Sequence, residues 1–288
     1  MFEGFSSETV DVGEVAIHVR RAGTGPAVVL VHGYPEHHLC WHRVAPALAE
    51  RFTVLCPDLR GYGWSAKPAG ADYSKRAMAG DLVGLLDRLD IGRAAIIGHD
   101  RGARVAYRAA LDHPDRVKRL AVLDIVPTVE QWEQLDWRRS LGSWHWYFLA
   151  QPEPIPERLI AADPGWLCRL LIERWARDPA TIDAEAMASY VEVFGDPGTV
   201  HASCQDYRAG ATVDWDLDEA DRAAGRRITC PTLALWGDRG VRGNATMADT
   251  WSRWATDLRS APIDCGHFLA EEAPEATLAE LVPFLEGR

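Results

Sequence analysis

The sequence predicts an α/β fold: a mostly parallel central sheet flanked by helices, with a helical cap inserted into it. Three observations lead there. Short apolar runs alternate with segments of helical period. The runs are apolar from end to end, as in strands covered on both faces. The alternation lapses once, in the middle of the chain, and then resumes.

The candidate strands are Ala27–Val31, Thr53–Cys56, Ala94–Ile97, Leu120–Ile125, Thr232–Trp236 and Leu258–Ile263, with an earlier pair around Val10–Val19. Between them Met78, Leu82, Leu85, Leu86 and Leu89 recur at helical spacing, with Gly92 beyond them as a stop. Pro274 opens a last helix that carries Leu278, Leu281, Val282 and Leu285 on one face. From about Thr128 to Ala211 no segment reads as a strand, and six of the twelve tryptophans fall there. So many large aromatics argue against a disordered linker. The expected organisation is a core of residues 1–127 and 212–288 and a helical cap of residues 128–211.

With 288 residues the chain is long enough for a core domain with a sizeable insertion. Its net charge of -11 argues against nucleic acid or an anionic membrane surface as a partner. The same charge repels an anionic substrate, so a site for one must concentrate positive charge of its own. The cysteines (Cys40, Cys56, Cys168, Cys204, Cys230, Cys265) are scattered without a C-x-x-C pair, as expected for reduced thiols rather than disulfides or a zinc site. The acidic start (Glu3, Glu8, Asp11, Glu14) does not read as a signal peptide, and no apolar stretch approaches the roughly 20 residues of a membrane span. A soluble cytoplasmic protein without metal or cofactor is expected.

The chemistry starts at Gly98-His99-Asp100-Arg101-Gly102, which follows a buried strand and opens a helix. Small residues two before and two after a central acid or alcohol are what a tight strand-to-helix turn requires, and the turn presents the central side chain as a nucleophile. That position holds Asp100 here, and no G-x-S-x-G occurs in the chain. A carboxylate, ionised at pH 7, suits displacement at saturated carbon and gives an ester, whereas a serine suits attack on a carbonyl. The competing reading of Asp100 is a plain helix cap.

An ester needs a base, and the base needs an orienting acid. Cys265-Gly266-His267 follows the last strand, which makes His267 the candidate base. In this type of fold the acid often stands in W-G-x-x-D, but Trp236-Gly237-Asp238-Arg239-Gly240 has glycine at that place. Asp124, after the preceding strand, is therefore preferred over Asp238. His32-Gly33-Tyr34-Pro35 matches the H-G-x-P turn whose backbone N–H groups, with that of Arg101, would form an oxyanion hole. Asp58-Leu59-Arg60-Gly61-Tyr62-Gly63 reads as a structural turn.

These motifs, which span His32 to His267, resemble the fluoroacetate (haloacetate) dehalogenases of the α/β-hydrolase superfamily. Related aspartate-nucleophile families, the epoxide hydrolases and haloalkane dehalogenases, usually carry Trp after the nucleophile, where Arg101 stands here. The resemblance implies that Arg101 and Arg104 grip a substrate carboxylate, and two guanidinium groups three residues apart share a helix face. It also implies a halide pocket of His145 and Trp146, within Trp144-His145-Trp146-Tyr147-Phe148, and Tyr207, within Gln205-Asp206-Tyr207-Arg208-Ala209. Their N–H and O–H groups are the donors that a departing fluoride needs. The implied partners are a small anionic haloacid and a second copy of the chain.

Arg108 reads as a solvated or ion-paired neighbour of that pair. His37, His38 and His42 lack metal-ligand spacing and read as surface or loop residues. Asp214-Trp215-Asp216-Leu217-Asp218 begins like a calcium loop but has Glu219 and Gly225 where Gly and Glu are required, and reads as a solvated acidic segment. Two other functions stay open. An epoxide hydrolase would draw its acids from Tyr147, Tyr190 and Tyr207, and a non-catalytic receptor would keep the scaffold alone.

Overall fold

A computed structural model describes residues 1–238 and 244–288. Gly240, the glycine at the customary acid position, lies outside the described residues. The strands are β1 (Ser6–Asp11), β2 (Ala16–Ala22), β3 (Ala27–Val31), β4 (Thr53–Pro57), β5 (Ala94–His99), β6 (Val117–Leu123), β7 (Thr232–Gly237) and β8 (Leu258–Ile263). They form one sheet in the order β1-β2-β4-β3-β5-β6-β7-β8. β2 pairs antiparallel with β1 and β4, and every later pairing is parallel. β5 and β7 are buried at every position, which is why they read as unbroken apolar runs.

β6 ends two residues sooner than its apolar run suggests, because Asp124 leaves the strand in a left-handed conformation (φ 55°). The core helices are α1 (Ala45–Ala49), α2 (Lys75–Arg88) and α3 (Asp100–Asp112), and α3 packs on β3, β5 and β6. Between β6 and β7 the chain is helical: α4 (Thr128–Glu133), α5 (Trp137–Gly142), α6 (Trp144–Leu149), α7 (Ile155–Ile160), α8 (Pro164–Trp175), α9 (Ala184–Phe194), α10 (Pro197–Gly210) and α11 (Val213–Ala223). Asp163 and Asp196 cap α8 and α10 through their side chains, and each precedes a proline at the first helical position. The core resumes with α12 (Asn244–Trp254), α13 (Leu269–Glu272) and α14 (Pro274–Glu286). Among the described residues no helix is long and apolar enough to cross a membrane.

Two sequence readings change and one is narrowed. The acidic segment is not solvated: Asp214 and Asp218 lie buried on one face of α11, four residues apart, with Asp221 one turn on. Asp218 accepts from the Tyr107 hydroxyl (2.7 Å) and from Arg108 (2.8 Å), and Asp221 also holds Arg108 (2.6 Å). Arg108 is thus ion-paired and buried. His37 and His38 are buried as well, His38 as a donor to Asp58 and His37 against α9. Asp58 accepts from the His38 backbone N–H (2.8 Å), and the imidazoles of His38 (2.9 Å) and His18 (3.0 Å) also hydrogen-bond to it, while His37 reaches Ser189 of α9 (3.1 Å).

Candidate active site

The site is built on the turn between β5 and α3. Asp100 has φ 46°, a conformation non-glycine residues adopt only where the surroundings impose it. The imposition is visible at two glycines. A Cβ on Gly102 would lie 2.2 Å from the His32 carbonyl oxygen, so α3 sits directly on the end of β3. A Cβ on Gly33 would lie 2.5 Å from Cβ of Asp100, so the H-G-x-P turn closes against the acid itself. Asp100 therefore stands at the N-terminal end of α3 with its carboxylate aimed away from the sheet.

The two carboxylate oxygens of Asp100 differ. Oδ1 accepts a hydrogen bond from the Tyr34 backbone N–H (3.0 Å), and Oδ2 lies 3.8 Å from Nε2 of His267. Burial pushes the Asp100 carboxyl up, but His267, His99, Arg101 and Arg104 outweigh that and hold it well below the usual carboxylate range. On the other side of the ring, His267 Nδ1 lies 2.5 Å from Asp124 Oδ2, and Asp124 Oδ1 accepts from the Gly237 backbone N–H (3.1 Å). The strained φ of Asp124 is what turns its side chain from the sheet toward His267. The structure thus brings Asp100, His267 and Asp124 into one line, with Asp124 rather than Asp238 hydrogen-bonded to the imidazole.

His267 is also held through its backbone. Its N–H donates to the Trp175 carbonyl at the end of α8 (3.0 Å), and its carbonyl accepts from His99 Nε2 (2.8 Å). His99 Nδ1 in turn lies 3.2 Å from Oε2 of Glu36. Glu36 and Glu271 face each other in the interior behind the site, and Oε1 of the first and Oε2 of the second meet no donor. A proton between them would satisfy both, in keeping with burial pushing each carboxyl up, that of Glu36 to about 7.

Of the expected oxyanion turn, Tyr34 supplies a bond to Asp100, and Gly33 supplies room. The side chain of His32 serves the wall instead: its Nε2 accepts from the Leu59 backbone N–H (3.0 Å), and its Nδ1 lies 2.9 Å from the Gly33 carbonyl.

The two arginines are not equivalent. Arg104 lines the cavity in front of Asp100, with Nη1 donating to the Val126 carbonyl (3.0 Å) and the Thr128 hydroxyl (3.2 Å). Arg101 is set back and fully buried, and Asp206 of α10 holds its guanidinium. Both guanidinium carbons lie over the Trp146 ring, at 5.3 Å for Arg101 and 4.7 Å for Arg104, so both charges meet at that indole. Arg101 Nη1 and Arg104 Nε are buried without a hydrogen-bond partner. Burial and the adjacent Arg101 lower the pKa of Arg104.

His145 and Trp146 face the same cavity from α6, with Tyr207 behind them on α10. The His145 ring lies 5.8 Å and the Trp146 ring 5.5 Å from that of Tyr207. Burial lowers the His145 pKa to about 3, so the ring is neutral at pH 7, and its Nδ1 has no partner. The cavity of about 50 Å³ is lined by Asp100, Arg104, His145, Trp146, Trp175 and His267, with Asp124, Ile125, Gln131, Gly142 and Ser143 completing it. That is room for a few water-sized groups, the scale of a two-carbon acid. Trp175 and Gln131 were not legible in the sequence: one is a cap tryptophan among six, the other an isolated glutamine without a motif.

The alpha/beta hydrolase fold model matches residues 26–274, so the chain belongs to the alpha/beta hydrolase family. A fluoroacetate dehalogenase from Burkholderia sp is 44% identical over 99% of this chain and 95% of that relative. Within the alpha/beta hydrolases, the chain belongs to the fluoroacetate dehalogenase family. It is also 33% identical to a soluble epoxide hydrolase from Corynebacterium sp. (strain C12), over 93% of each chain. Among solved structures, a mutant Pseudomonas aeruginosa protein that carries an epoxide-hydrolase name and has MFA bound superposes with a TM-score of 0.96 at 44% identity, covering 99% of this chain and 97% of that one.

Proposed function

We propose that the protein hydrolyses the carbon–halogen bond of small 2-haloacids such as fluoroacetate and chloroacetate, releasing the 2-hydroxy acid and halide. The observation that carries this reading is the convergence, on one small cavity, of an ionised Asp100, the Arg104 guanidinium and neutral ring donors. A carboxylate nucleophile alone would fit several reactions, but a cation and halide donors around it select an anionic substrate with a halide leaving group.

In the first step Asp100 Oδ2, the oxygen not held by Tyr34, attacks the halogen-bearing carbon. A C–O bond forms as the C–X bond breaks with inversion, and the halide leaves with the bonding pair toward His145, Trp146 and Tyr207. Arg104, with Arg101 behind it, holds the substrate carboxylate. In the second step His267 Nε2 takes a proton from water, and the hydroxide adds to Cγ of Asp100. The oxyanion forms on Oδ1, where the Tyr34 N–H awaits it. Collapse expels the hydroxy acid, whose alkoxide takes the proton from the His267 imidazolium, and the Asp100 carboxyl returns to the carboxylate by losing the proton of the added hydroxyl to solvent. Asp124 keeps Nδ1 of His267 protonated and stabilises the imidazolium.

The test is halide release from matched fluoroacetate and chloroacetate. Asp100→Asn is expected to lower it by at least about 10⁴-fold, and a folded wild-type protein that releases neither halide refutes the reading. The likeness to the Corynebacterium epoxide hydrolase supports a second reading. Against it, the Tyr190 hydroxyl donates to Glu271 (3.1 Å) and Tyr147 is exposed, leaving Tyr207 as the one expected proton donor beside the cavity. Turnover of neutral epoxides that survives Arg101→Ala and Arg104→Ala would favour it. The six unpaired cysteines support a cytoplasmic setting. Exposed Trp137, Leu141, Leu159 and Trp166 on the inserted helices support a homodimer, which sedimentation would test.

A further inference from the structure

We infer that Asp206 is the positioning residue of the carboxylate site: it sets the orientation of Arg101, with Lys75 as the counter-charge that keeps it from cancelling Arg101. This inference rests on the haloacid reading and names the part of the molecule that recognises the acid.

Asp206 is fully buried on α10, the helix that also carries Tyr207. Its carboxylate receives four donors. Tyr62 donates to Oδ2 (2.7 Å), Arg101 Nε donates to Oδ2 (3.2 Å), and both Arg101 Nη2 and Lys75 Nζ donate to Oδ1. Arg101 Nη2 also donates to the Asp206 carbonyl (2.8 Å). A carboxylate offers about four acceptor positions, so Asp206 is saturated. One edge of the Arg101 guanidinium is thereby spent, and Nη1 is left without a partner.

The Tyr207 ring, 4.1 Å from the guanidinium carbon, covers one face of the group, and Gly210 leaves room beside it, since a Cβ there would lie 3.1 Å from Nη2. Asp206 thus fixes Arg101 against both Tyr207 and Trp146, so the carboxylate grip and the halide donors share one anchor.

Lys75 matters through charge. One carboxylate facing one guanidinium would neutralise it and leave Arg104, among the described residues of the site, as the one uncancelled cation. Lys75, buried at the start of α2, brings its ammonium group to Asp206, where burial and Arg101 pull its pKa down and Asp214 holds it up; its backbone N–H donates to Asp214 Oδ1 (2.8 Å) and its Nζ lies 4.0 Å from Asp214 Oδ2. Two buried cations then stand against two buried carboxylates, and Arg104 adds the uncompensated charge that an incoming carboxylate meets. Burying four charges is costly where apolar side chains would fill the space, so a role in recognition accounts for what stability does not.

Charge and positioning predict opposite results for Asp206→Asn. Removing a negative charge would, by charge alone, tighten the binding of an anion. Loss of positioning would weaken it, because the amide presents a donor to a ring of donors and releases Arg101. The experiment is calorimetric binding of acetate, which cannot react, together with kcat and KM for chloroacetate. It covers the wild type, Asp206→Asn, Asp206→Glu and Lys75→Met, each checked for a cooperative melt.

Asp206→Asn is expected to bind acetate at least about tenfold more weakly, with Asp206→Glu recovering part of that loss. Lys75→Met is expected to raise KM by at least about threefold, more than it changes kcat. Acetate affinity unchanged or tighter in folded Asp206→Asn overturns the inference. If that variant does not fold, KM within twofold of wild type in Lys75→Met overturns it instead. Acetate binding needs no turnover, which separates the two claims. Weaker acetate binding in Asp206→Asn without halide release from the wild type would sink the dehalogenase reading alone, and halide release with unaltered acetate affinity would sink this one alone.

Discussion

The two walls of the cavity are made in different ways. The core wall, with Asp100, Asp124 and His267, is held by backbone. Two non-glycine residues sit at positive φ, a glycine admits the end of β3, and main-chain N–H groups of Tyr34 and Gly237 fix one oxygen of each acid. The wall of inserted helices, with His145, Trp146, Trp175 and Tyr207, is held by side chains. The His145 and Trp146 rings each meet Tyr207 edge to face, two guanidinium groups lie over one indole, and Asp206 ties the assembly to Arg101. A wall set by backbone tolerates little change in residue type and is suited to the reaction steps that every substrate shares. A wall set by packing can be altered ring by ring, and suits the choice of acid and halide.

That contrast can be broken at its strongest point first. His267→Asn removes the base and leaves the nucleophile, so the ester on Asp100 should form and persist. Turnover is expected to fall by about 10³-fold or more, and mass spectrometry should find the substrate's carboxymethyl group added at Asp100. A fully active variant would place the base elsewhere, and an inactive one without adduct would refute the ester on Asp100.

On the other wall the effects should be smaller and selective. His145→Asn and Trp146→Phe each remove a ring donor, and fluoride, small and strongly hydrated, depends on donors more than chloride does. Fluoride release is expected to fall by about 10- to 100-fold, with chloride release falling less. Equal losses for both halides would mean that these rings pack and do not select.

The smallest effect concerns stability rather than rate. The Glu36 pKa is raised in the folded protein, so its contribution is complete below the unfolded value of 4.5 and is lost as pH rises through about 7. His37 and His145 are shifted the other way, each to about 3, so their contribution is complete above 6.5 and is lost as pH falls toward that value. Each group changes stability by roughly 1.4 kcal/mol per pH unit inside its window. Urea midpoints should therefore peak in mildly acidic solution. Glu36→Gln should flatten the decline on the alkaline side, and an unchanged slope there would show that Glu36 keeps an ordinary carboxyl.

How far each wall could be read from the sequence follows from the same contrast. Asp100, with its flanking glycines, and His267, after the last strand, were legible because backbone geometry demands particular residues at particular spacings. Asp124 was legible only by elimination, from the glycine at the customary place. Arg101, Arg104, His145, Trp146 and Tyr207 entered through resemblance, since nothing in a run of aromatic residues says which rings line a cavity. The acidic run at Asp214–Asp218 reads as solvated in sequence because acidic and apolar residues alternate along it, which hides the helical period of α11. Once helical spacing puts Asp214 and Asp218 on one face, their partners Lys75 and Arg108 explain their burial.

By itself, then, the sequence determined the alternation of strands and helices and the three residues in line at the core. Those features are local: apolar periodicity, tight turns and residues that only certain φ values accept. The tertiary structure alone decided that Arg101 is anchored behind the cavity while Arg104 lines it, that Trp175 and Gln131 reach it, and that one buried aspartate, Asp206, joins four donors from three separate parts of the chain. The donors to Asp206 lie more than a hundred positions from it, and no spacing along the chain encodes such contacts.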